Sequence, residues 1–435
     1  MTTGVDFCLS LFKNIESFLD DGEIKNRYRQ REKDFTRKKK LSFKSLIIFM
    51  LQYGKSSIQH ELDEFFIDEK FTISKAAYSL QRKKVKYELF QDLNSLLVKE
   101  FYANKENVKT WKGYRILAID GSTMQLPTSQ ELINKFGIFN TRTENNRKVV
   151  MARMSILYDV LNGVSITSEL DNYFVGEIRI AEQQIDVLKP NDLLVADRGY
   201  SAFWFMSKIH HHKKAKFAVR LKANRWKMGK DFLASGLDSQ IVEMKPSKEA
   251  KKKCKEKKIS YQSFQVRLIR VRLKDGESHV IVTNLLDNEL YTVADFKGLY
   301  HYRWSAEENY KHLKQRGALE NMSGKSVLSV LQDFHRIILR SNVSQLSGEN
   351  LIAKEVKKIN KRRKKTYQLN RTQAYRKTKN LFNLLFQIQK TKWKKTIGKI
   401  KKQLIQQLEI VRRDRSNPVL IRYGGRPINF MAYKP

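Results

Sequence analysis

Residues 116–122 read Ile-Leu-Ala-Ile-Asp-Gly-Ser, and residues 193–199 read Leu-Leu-Val-Ala-Asp-Arg-Gly. Each stretch is an apolar run that ends in an aspartate and continues with residues suited to a turn. Such runs are typical of strands that are buried on both faces of a sheet. If the two strands are parallel neighbours, we expect Asp120 and Asp197 to lie together at the carboxyl edge of the sheet. For either aspartate alone, the simpler interpretation of a residue that makes a turn stays open.

The segments around these two strands alternate between sheet and helix patterns. Asn162-Gly163 is a strong hairpin signal and predicts that the strands on either side of it pair. The order of elements predicts an α/β core that is interrupted by a β-rich insertion. The predicted elements are strands 151–158 and 164–170, helices 178–188 and 201–212, strands 216–221, 259–273 and 280–285, and one long helix at 292–316.

Helical segments flank this core on both sides. Apolar residues at helical spacing predict helices at 41–53, 58–66, 74–83 and 88–102. The pattern after residue 325 is mostly helical and very basic, since residues 351–403 contain 19 Lys and Arg but a single acid, Glu355. The expected domains are a helical DNA-binding domain at 1–110, the core at 111–221 and 291–325, the β-rich insertion at 222–290, and a basic, mostly helical region at 326–435.

The charge of the chain indicates a polyanionic partner. The 435 residues contain 85 Lys and Arg against 45 Asp and Glu, which gives a formal net charge of +40. Because 41% of the residues are hydrophobic, the chain can form real cores, and the excess charge does not predict global disorder. Nucleic acid is the expected partner of such a protein.

Other features of the composition exclude several classes of protein. Cys8 and Cys254 are the only cysteines, which excludes a disulfide framework and a cysteine-rich zinc module and fits a reducing cytosol. The longest purely apolar run, residues 46–51, is far below the ~18 residues that cross a bilayer, so we expect no membrane partner. His210-His211-His212 is expected to be a solvated helix end rather than a metal site, because consecutive helical residues point in different directions.

The pattern near residue 300 supplies a third carboxylate. At about 100° per residue, four residues share one helical arc of roughly 60°: Tyr300, Arg303, Glu307 and Lys314. A solvated helix face with an Arg303–Glu307 ion pair would explain the charges on this arc. It would not explain why Tyr300 lies on the same stripe and Trp304 on its flank. We therefore interpret the arc as part of a site that includes Glu307.

The spacing Tyr300-x2-Arg303-x3-Glu307-x6-Lys314 resembles the signature helix of DDE transposases from bacterial insertion sequences. Within that family, it resembles the subgroup that this Tyr-Arg-Glu-Lys spacing defines. The separation between Asp197 and Glu307 is 307 − 197 = 110 residues. This separation is similar to that in members of the subgroup, which insert a β-rich domain before the final glutamate.

The two aspartate stretches resemble the other motifs of the same family. Asp120-Gly121-Ser122, with Pro127 shortly after, resembles the first motif, and residues 197–200, Asp-Arg-Gly-Tyr, resemble the second. Residues 35–41, Phe-Thr-Arg-Lys-Lys-Lys-Leu, are similar to the N-terminal region of these proteins. The resemblance implies an α/β fold with a ribonuclease H-like mixed sheet core, a β-rich insertion, and helical N- and C-terminal domains.

The resemblance also implies the chemistry of the site. In phosphodiester cleavage, two divalent ions about 3.5–4 Å apart stabilise the attacking and leaving oxygens. The expected catalytic residues and ligands of two Mg²⁺ ions, with Mn²⁺ as a substitute, are Asp120, Asp197 and Glu307. Asp120 is expected to bridge both ions. Phosphate contacts are expected from Tyr300, Arg303 and Lys314, and Trp304 is expected to stack on a flipped base if the cut end forms a hairpin.

The resulting hypothesis is a cut-and-paste DNA transposase. It would bind the inverted-repeat ends of its element in double-stranded DNA, cleave them, and transfer 3′-hydroxyl ends into target DNA. The family resemblance implies a homodimer that pairs two ends, in the bacterial cytoplasm and associated with the nucleoid. Two alternatives stay open: a repurposed DNA-binding relative that does not transpose, and a stand-alone metal-dependent nuclease.

Overall fold

The computed structural model describes residues 3–54, 56–104, 107–140, 148–272, 277–386 and 391–411. The helices α1–α6 are Gly4–Asp20, Gly22–Tyr28, Phe43–Gln52, Ile58–Phe65, Lys75–Arg82 and Glu88–Ala103. They are followed by β1 Arg115–Leu126, α7 Gln130–Phe136, β2 Ile138–Asn140, β3 Lys148–Asp159, β4 Val164–Asn172, α8 Glu177–Gln184, β5 Asp192–Ala196, α9 Phe203–Ser207 and β6 Lys216–Arg220. The remaining elements are α10 Lys227–Ala234, β7 Ser239–Met244, α11 Lys248–Glu256, β8 Phe264–Arg272, β9 Ser278–Thr283, α12 Val293–His301, α13 Trp304–Gln315, α14 Val327–Arg362, β10 Tyr367–Gln368, α15 Arg371–Lys377, α16 Thr391–Gln406 and β11 Glu409–Ile410.

These elements form two compact units, each made of discontinuous segments. The first unit combines Met1–Val108, Thr123–Ala152 and Lys311–Pro435, and the second combines Lys109–Ser122 and Arg153–Tyr310. In the described part of the chain, no helix has both the length and the apolar character needed to cross a membrane.

The first unit is organised around the long helix α14. Helices α1, α3, α6, α15 and α16 all pack against it, and the stretch from Ser329 to Ile352 is largely buried. Its polar residues are buried together with partners: the Asp333 carboxylate contacts Arg82 at 3.4 Å and Arg336 at 2.9 Å. Burial alone would raise the pKa of Asp333, but the two guanidinium groups hold it below its ordinary value.

The second unit is built on a mixed sheet with the strand order β3-β1-β5-β6-β9-β8-β7, in which β4 also pairs with β3. The predicted hairpin is confirmed, since β3 pairs with β4. Strand β1 is parallel to β5, and β5 is parallel to β6, whereas β6, β9, β8 and β7 pair in antiparallel fashion. The parallel centre of the sheet is therefore the part that the two apolar runs predicted.

Both faces of the parallel strands are covered, which explains why their sequences are apolar without alternation. Leu117 and Leu194 pack on one face, in a core that includes residues of α8 and α9. Ile116 and Leu193 pack on the other face, with α12. Side chains alternate between the two faces of a strand, so every second residue after Ile116 or Leu193 points towards α12.

Two predictions from the sequence need correction. Strand β1 does not end before Asp120 but continues to Leu126, because Met124 and Leu126 are buried at period two. The predicted helix at 292–316 is two helices, α12 and α13. Hydrogen bonds between residues three apart run through the junction, from Arg303 N to Tyr300 O and from Ala306 N to Arg303 O. Residues in such a tighter turn do not follow the 100° per residue of an α-helix. Tyr300 and Glu307 therefore do not lie on the one continuous helical arc that the sequence predicted.

Candidate active site

The register of three parallel strands brings polar side chains to one edge of the sheet. Ile119 of β1 is opposite Ala196 of β5, and Ala196 is opposite Val219 of β6. The next residue along each strand is Asp120, Asp197 or Arg220. By alternation, all three belong to the face that α12 covers. This register confirms the prediction that the two strands are parallel neighbours and places Asp120 beside Asp197, where β5 ends and β1 continues.

Asp120 lies in a buried environment beside other charged groups. Burial raises the pKa of Asp120 to about 7, the charge of Arg303 opposes this shift, and the negative charge of Glu307 adds to it. The backbone carbonyl of Asp120 accepts a hydrogen bond of 2.6 Å from the Tyr310 hydroxyl. Because Tyr310 and Glu307 share α13, this bond fastens the helix of Glu307 to the strand of Asp120.

Asp197 is held from two sides. It follows β5 directly and accepts a hydrogen bond of 3.1 Å from the Tyr300 hydroxyl at its Oδ1. The guanidinium group of Arg220 lies 3.9 Å from the same oxygen and 3.5 Å from Glu277. Burial raises the pKa of Tyr300 to about 12, and the charge of Asp197 adds to the shift. Tyr300 therefore remains a proton donor to Asp197 at neutral pH.

Arg303 lies in the junction between α12 and α13 and is the cation that the carboxylates share. Its Nη1 donates to Glu307 Oε1 at 2.7 Å, so the ion pair considered from the sequence does form. The guanidinium group lies over the rings of Trp304, at 4.8 Å, and Tyr300, at 5.7 Å. Its charge also acts on Asp120 and Asp197. Trp304 keeps 49% of its surface exposed, which is unusual for a residue of its size.

Lys314 follows later on α13, in the segment that belongs to the first unit. Its ammonium group donates to the carbonyl oxygen of Thr123 at 2.6 Å and lies 3.9 Å from Glu320.

Three residues of the site were missed by sequence reasoning. Arg220 had a detectable signal, because it ends a third apolar strand in the same way that Asp197 ends the second. Tyr310 had no comparable signal, since a buried tyrosine on a helix is ordinarily a core residue. Glu177, in the first turn of α8, contributes to the raised pKa of Asp120.

The carboxylates of the site have the chemistry that a divalent metal ion prefers, but they are not arranged around one point. Within the residues described, no three His, Cys, Asp or Glu side chains are arranged to hold a metal ion. Glu307 is instead paired with Arg303. The donor set nevertheless fits a hard divalent cation, which prefers carboxylate oxygens. Burial raises the pKa of Asp120 despite the charge of Arg303, so an added cation would favour its charged form.

The three consecutive histidines are not equivalent, because His210 is a packing residue whereas His212 is exposed. Asn284 Nδ2 lies 3.1 Å from His210 Nδ1, and the His210 ring stacks on Phe264 at 4.4 Å. Burial lowers the pKa of His210 to about 4, so the ring is neutral at pH 7. His212 accepts a hydrogen bond from the Ser260 backbone. The expectation of a solvated helix end was thus wrong for His210, because its ring completes the packing around Phe264.

A basic cavity in the first unit is a second candidate site. Its volume is about 960 Å³, and it lies among α1, α2 and the segment that leads to α3. Lysine and arginine side chains outnumber the three aspartates of its lining, so it is electropositive. The basic lining residues are Lys25, Arg31, Lys33, Arg37, Lys38, Lys39, Lys44 and Lys84.

Comparisons with known proteins identify the family. Residues 111–343, more than half of the chain, match the family model described as "Transposase DDE domain". The chain is 24% identical over 241 residues to the transposase InsG for insertion sequence element IS4 from Escherichia coli (strain K12). That match covers 54% of this chain and 52% of InsG, so the chain spans about half the length of this curated relative.

A solved structure is also similar to this chain. The piggyBac transposase in a synaptic complex with hairpin DNA aligns with a TM-score of 0.44 and 9% identity, covering 92% of this chain and 85% of that one. The family match includes β1, β5 and α13, which carry Asp120, Asp197 and Glu307. On the extent of that match, the chain belongs to the family of transposase DDE domains.

Proposed function

We propose that this protein is a metal-dependent DNA transposase. It binds the inverted-repeat ends of its element, cleaves phosphodiester bonds there, and transfers the resulting 3′-hydroxyl ends into target DNA. The observation that carries the proposal is the placement of Asp120 and Asp197 at one sheet edge, with Arg303 acting on both and on Glu307. Family membership supports the same reaction class.

Asp120, Asp197 and Glu307 are the proposed catalytic residues and the ligands of two Mg²⁺ ions, for which Mn²⁺ substitutes. Two such metal ions would stabilise the negative charge on the attacking and leaving oxygens of the phosphodiester. Asp120 lies on β1, which pairs directly with the central parallel strand β5, and would contact both ions in this proposal. Burial raises the pKa of Asp120, so a cation bound beside it would stabilise its charged form.

Arg303 has a double role in this proposal. Without DNA it pairs with Glu307 at 2.7 Å, and so weakens the repulsion between the carboxylates of Glu307 and Asp120. When DNA binds, the guanidinium group contacts a phosphate next to the scissile bond, since Arg binds phosphate with two parallel hydrogen bonds. Glu307 is then free to act as a ligand. Tyr300 and Lys314 are proposed to add further hydrogen bonds to phosphate oxygens.

Trp304 is proposed to stack on a base that is flipped out of the duplex. Half of its ring surface is exposed while Arg303 covers one face, so one side remains available for stacking. A flipped base relieves strain when the cut end closes into a hairpin, and cleavage through such a hairpin is part of the proposal.

DNA contacts outside the active site are assigned to the basic regions of the chain. Residues 1–110, with the electropositive cavity of α1–α3, are proposed to bind the end sequences. Residues 222–290 and 326–435 are proposed as the insertion domain and the basic C-terminal region, next to a core at 111–221 and 291–325. We further propose a homodimer on two paired ends, in the bacterial cytoplasm at the nucleoid.

One assay separates this function from the two alternatives. Purified protein is incubated with labelled end DNA, Mg²⁺ and a plasmid target, and nicked, hairpin and joined products are resolved. A transposase gives all products, a stand-alone nuclease gives nicks without joining, and a repurposed binding protein gives a complex without nicks. Asp120→Ala, Asp197→Ala and Glu307→Ala are each expected to abolish cleavage and to retain salt-sensitive DNA binding. Near-native cleavage by any one of them would contradict the assignment.

A further inference from the structure

Gly121 follows Asp120 and is a glycine because another side chain occupies the space beside it. A methyl group built on Gly121 would lie 2.4 Å from Cγ, 2.5 Å from Cδ and 2.8 Å from Oε1 of Glu177. The backbone of Gly121 does not have a positive φ, so its conformation does not demand glycine. A side chain at this position, next to Asp120, would therefore have to displace the side chain of Glu177.

Glu177 is held in this position by Arg153 of β3. Arg153 Nη1 donates to Glu177 Oε1 at 2.7 Å, and Arg153 Nε donates to the carbonyl oxygen of Tyr173 at 3.1 Å. The carboxylate also lies in the first turn of α8, where the helix dipole favours negative charge. The ion pair is partly exposed to solvent, so it contributes little to the stability of the fold. Stability therefore does not explain why the pair is placed against Gly121.

The Glu177 carboxylate acts on the groups that surround Asp120. Its charge reaches Asp120 itself, and it also reaches Tyr200 and Tyr310. Tyr310 is the residue that donates to the backbone carbonyl of Asp120. Asp120 is thus contacted at its carbonyl oxygen by Tyr310, and the next residue, Gly121, is contacted by Glu177.

We propose that Glu177 is a positioning residue of the active site, and that Arg153 holds it against Gly121 so that the backbone presenting Asp120 keeps its place. Its charge adds a fourth carboxylate to the negative field that attracts divalent cations. This proposal rests on the function proposed above, since it assigns Glu177 a role in metal-dependent cleavage. Groups that orient metal ligands typically change metal affinity or activity by about 10–100-fold when they are removed.

A double-mutant cycle tests the packing without any cleavage assay. Thermal unfolding is measured for the native protein, Gly121→Ala, Glu177→Ala and the double variant. Gly121→Ala is expected to lower Tm by about 2–4 °C in the native background and by less than half of that when Glu177 is alanine. Equal losses in both backgrounds would overturn the proposed contact.

The functional part is tested by the Mg²⁺ dependence of end nicking. Glu177→Gln keeps the shape of the side chain and removes its charge, so the half-saturating Mg²⁺ concentration is expected to rise about tenfold, with end-DNA binding unchanged and the rate largely restored at high Mg²⁺. Glu182→Gln is the matched control, because Glu182 lies on the same helix and pairs with Lys257. An unchanged Mg²⁺ dependence in Glu177→Gln, or an equal shift in Glu182→Gln, would overturn the role of the charge. If Asp120→Ala cleaves like the native protein, the proposed function fails, whereas the unfolding cycle still decides the contact.

Discussion

Replacing Tyr310 by phenylalanine removes one hydroxyl group from the junction between two catalytic elements. That hydroxyl donates to the carbonyl oxygen of Asp120 at 2.6 Å, and Tyr310 is 5% exposed. Ser155 Oγ is another donor to this oxygen, at the long distance of 3.4 Å. A net hydrogen bond contributes about 0.5–1.5 kcal/mol, and a buried acceptor left without a good donor costs about 1–3 kcal/mol. With the weak contact from Ser155 retained, we expect a loss of about 1–2 kcal/mol.

Two assays measure the effect of Tyr310→Phe. Thermal unfolding is expected to shift down by about 2–4 °C per kcal/mol lost. The rate of end nicking at saturating Mg²⁺ is expected to fall about tenfold, since about 1.4 kcal/mol corresponds to one factor of ten and the bond couples the strand of Asp120 to the helix of Glu307. Both shifts follow from the loss of the hydrogen bonds of the hydroxyl group rather than from a change in charge.

Tyr200→Phe is the matched control for this experiment. The Tyr200 hydroxyl is also buried in the second unit, but among the residues that the structure describes it has no hydrogen-bond partner. Its removal is expected to leave Tm unchanged or to raise it slightly. Equal destabilisation by both substitutions, or a native nicking rate in Tyr310→Phe, would refute the reasoning that Tyr310 fastens α13 to β1.

Three further predictions concern the charged and aromatic groups of the site. Trp304→Ala is expected to preserve the first nick and to reduce hairpin product, and an unchanged hairpin yield on resolved gels would remove its stacking role. Arg303→Ala leaves Glu307 without its cation, so we expect the free energy of unfolding without metal to fall by about 1–3 kcal/mol. Adding Mg²⁺ should then raise Tm more in this variant than in the native protein. An equal rise in both proteins would contradict this role of Arg303. The pKa of Asp120 is raised to about 7, so the folded protein binds more protons than the unfolded chain between pH 4 and 7, and metal-free stability should fall as pH rises through that window. Asp120→Asn is expected to make this fall shallower in unfolding experiments, and identical pH profiles would show that Asp120 is not the group responsible.

The parallel strands at the centre of the sheet could be predicted from the sequence, because the apolar runs that indicate them are local. Four apolar residues before Asp120 and before Asp197 determine buried strands, and their register then places both carboxylates at one edge. The α12–α13 junction was not predictable in this way. No proline or glycine marks it, and the turn is accompanied by the tertiary hydrogen bond from Tyr300 to Asp197. Such bonds depend on residues that are distant in sequence.

Other features were missed because they depend on which partners a polar residue finds. The sequence predicted only a basic, mostly helical region after residue 325, whereas in the structure Asp333 is buried in α14 together with Arg336 and Arg82, with which it pairs. Gly121 was recognised as part of a motif, yet its physical reason is visible only where Glu177 approaches it. Composition describes the charge of a segment, whereas pairing decides whether that charge is exposed.

The most direct test of the central claim is a count of the Mn²⁺ ions bound per protomer on end DNA, by electron paramagnetic resonance titration, for the native protein and Asp120→Ala. If Asp120, Asp197 and Glu307 jointly hold two divalent ions, the native complex binds two Mn²⁺ per protomer in excess of those on DNA alone, and Asp120→Ala binds at most one. An equal count in both proteins would contradict the assignment of these carboxylates as the metal ligands.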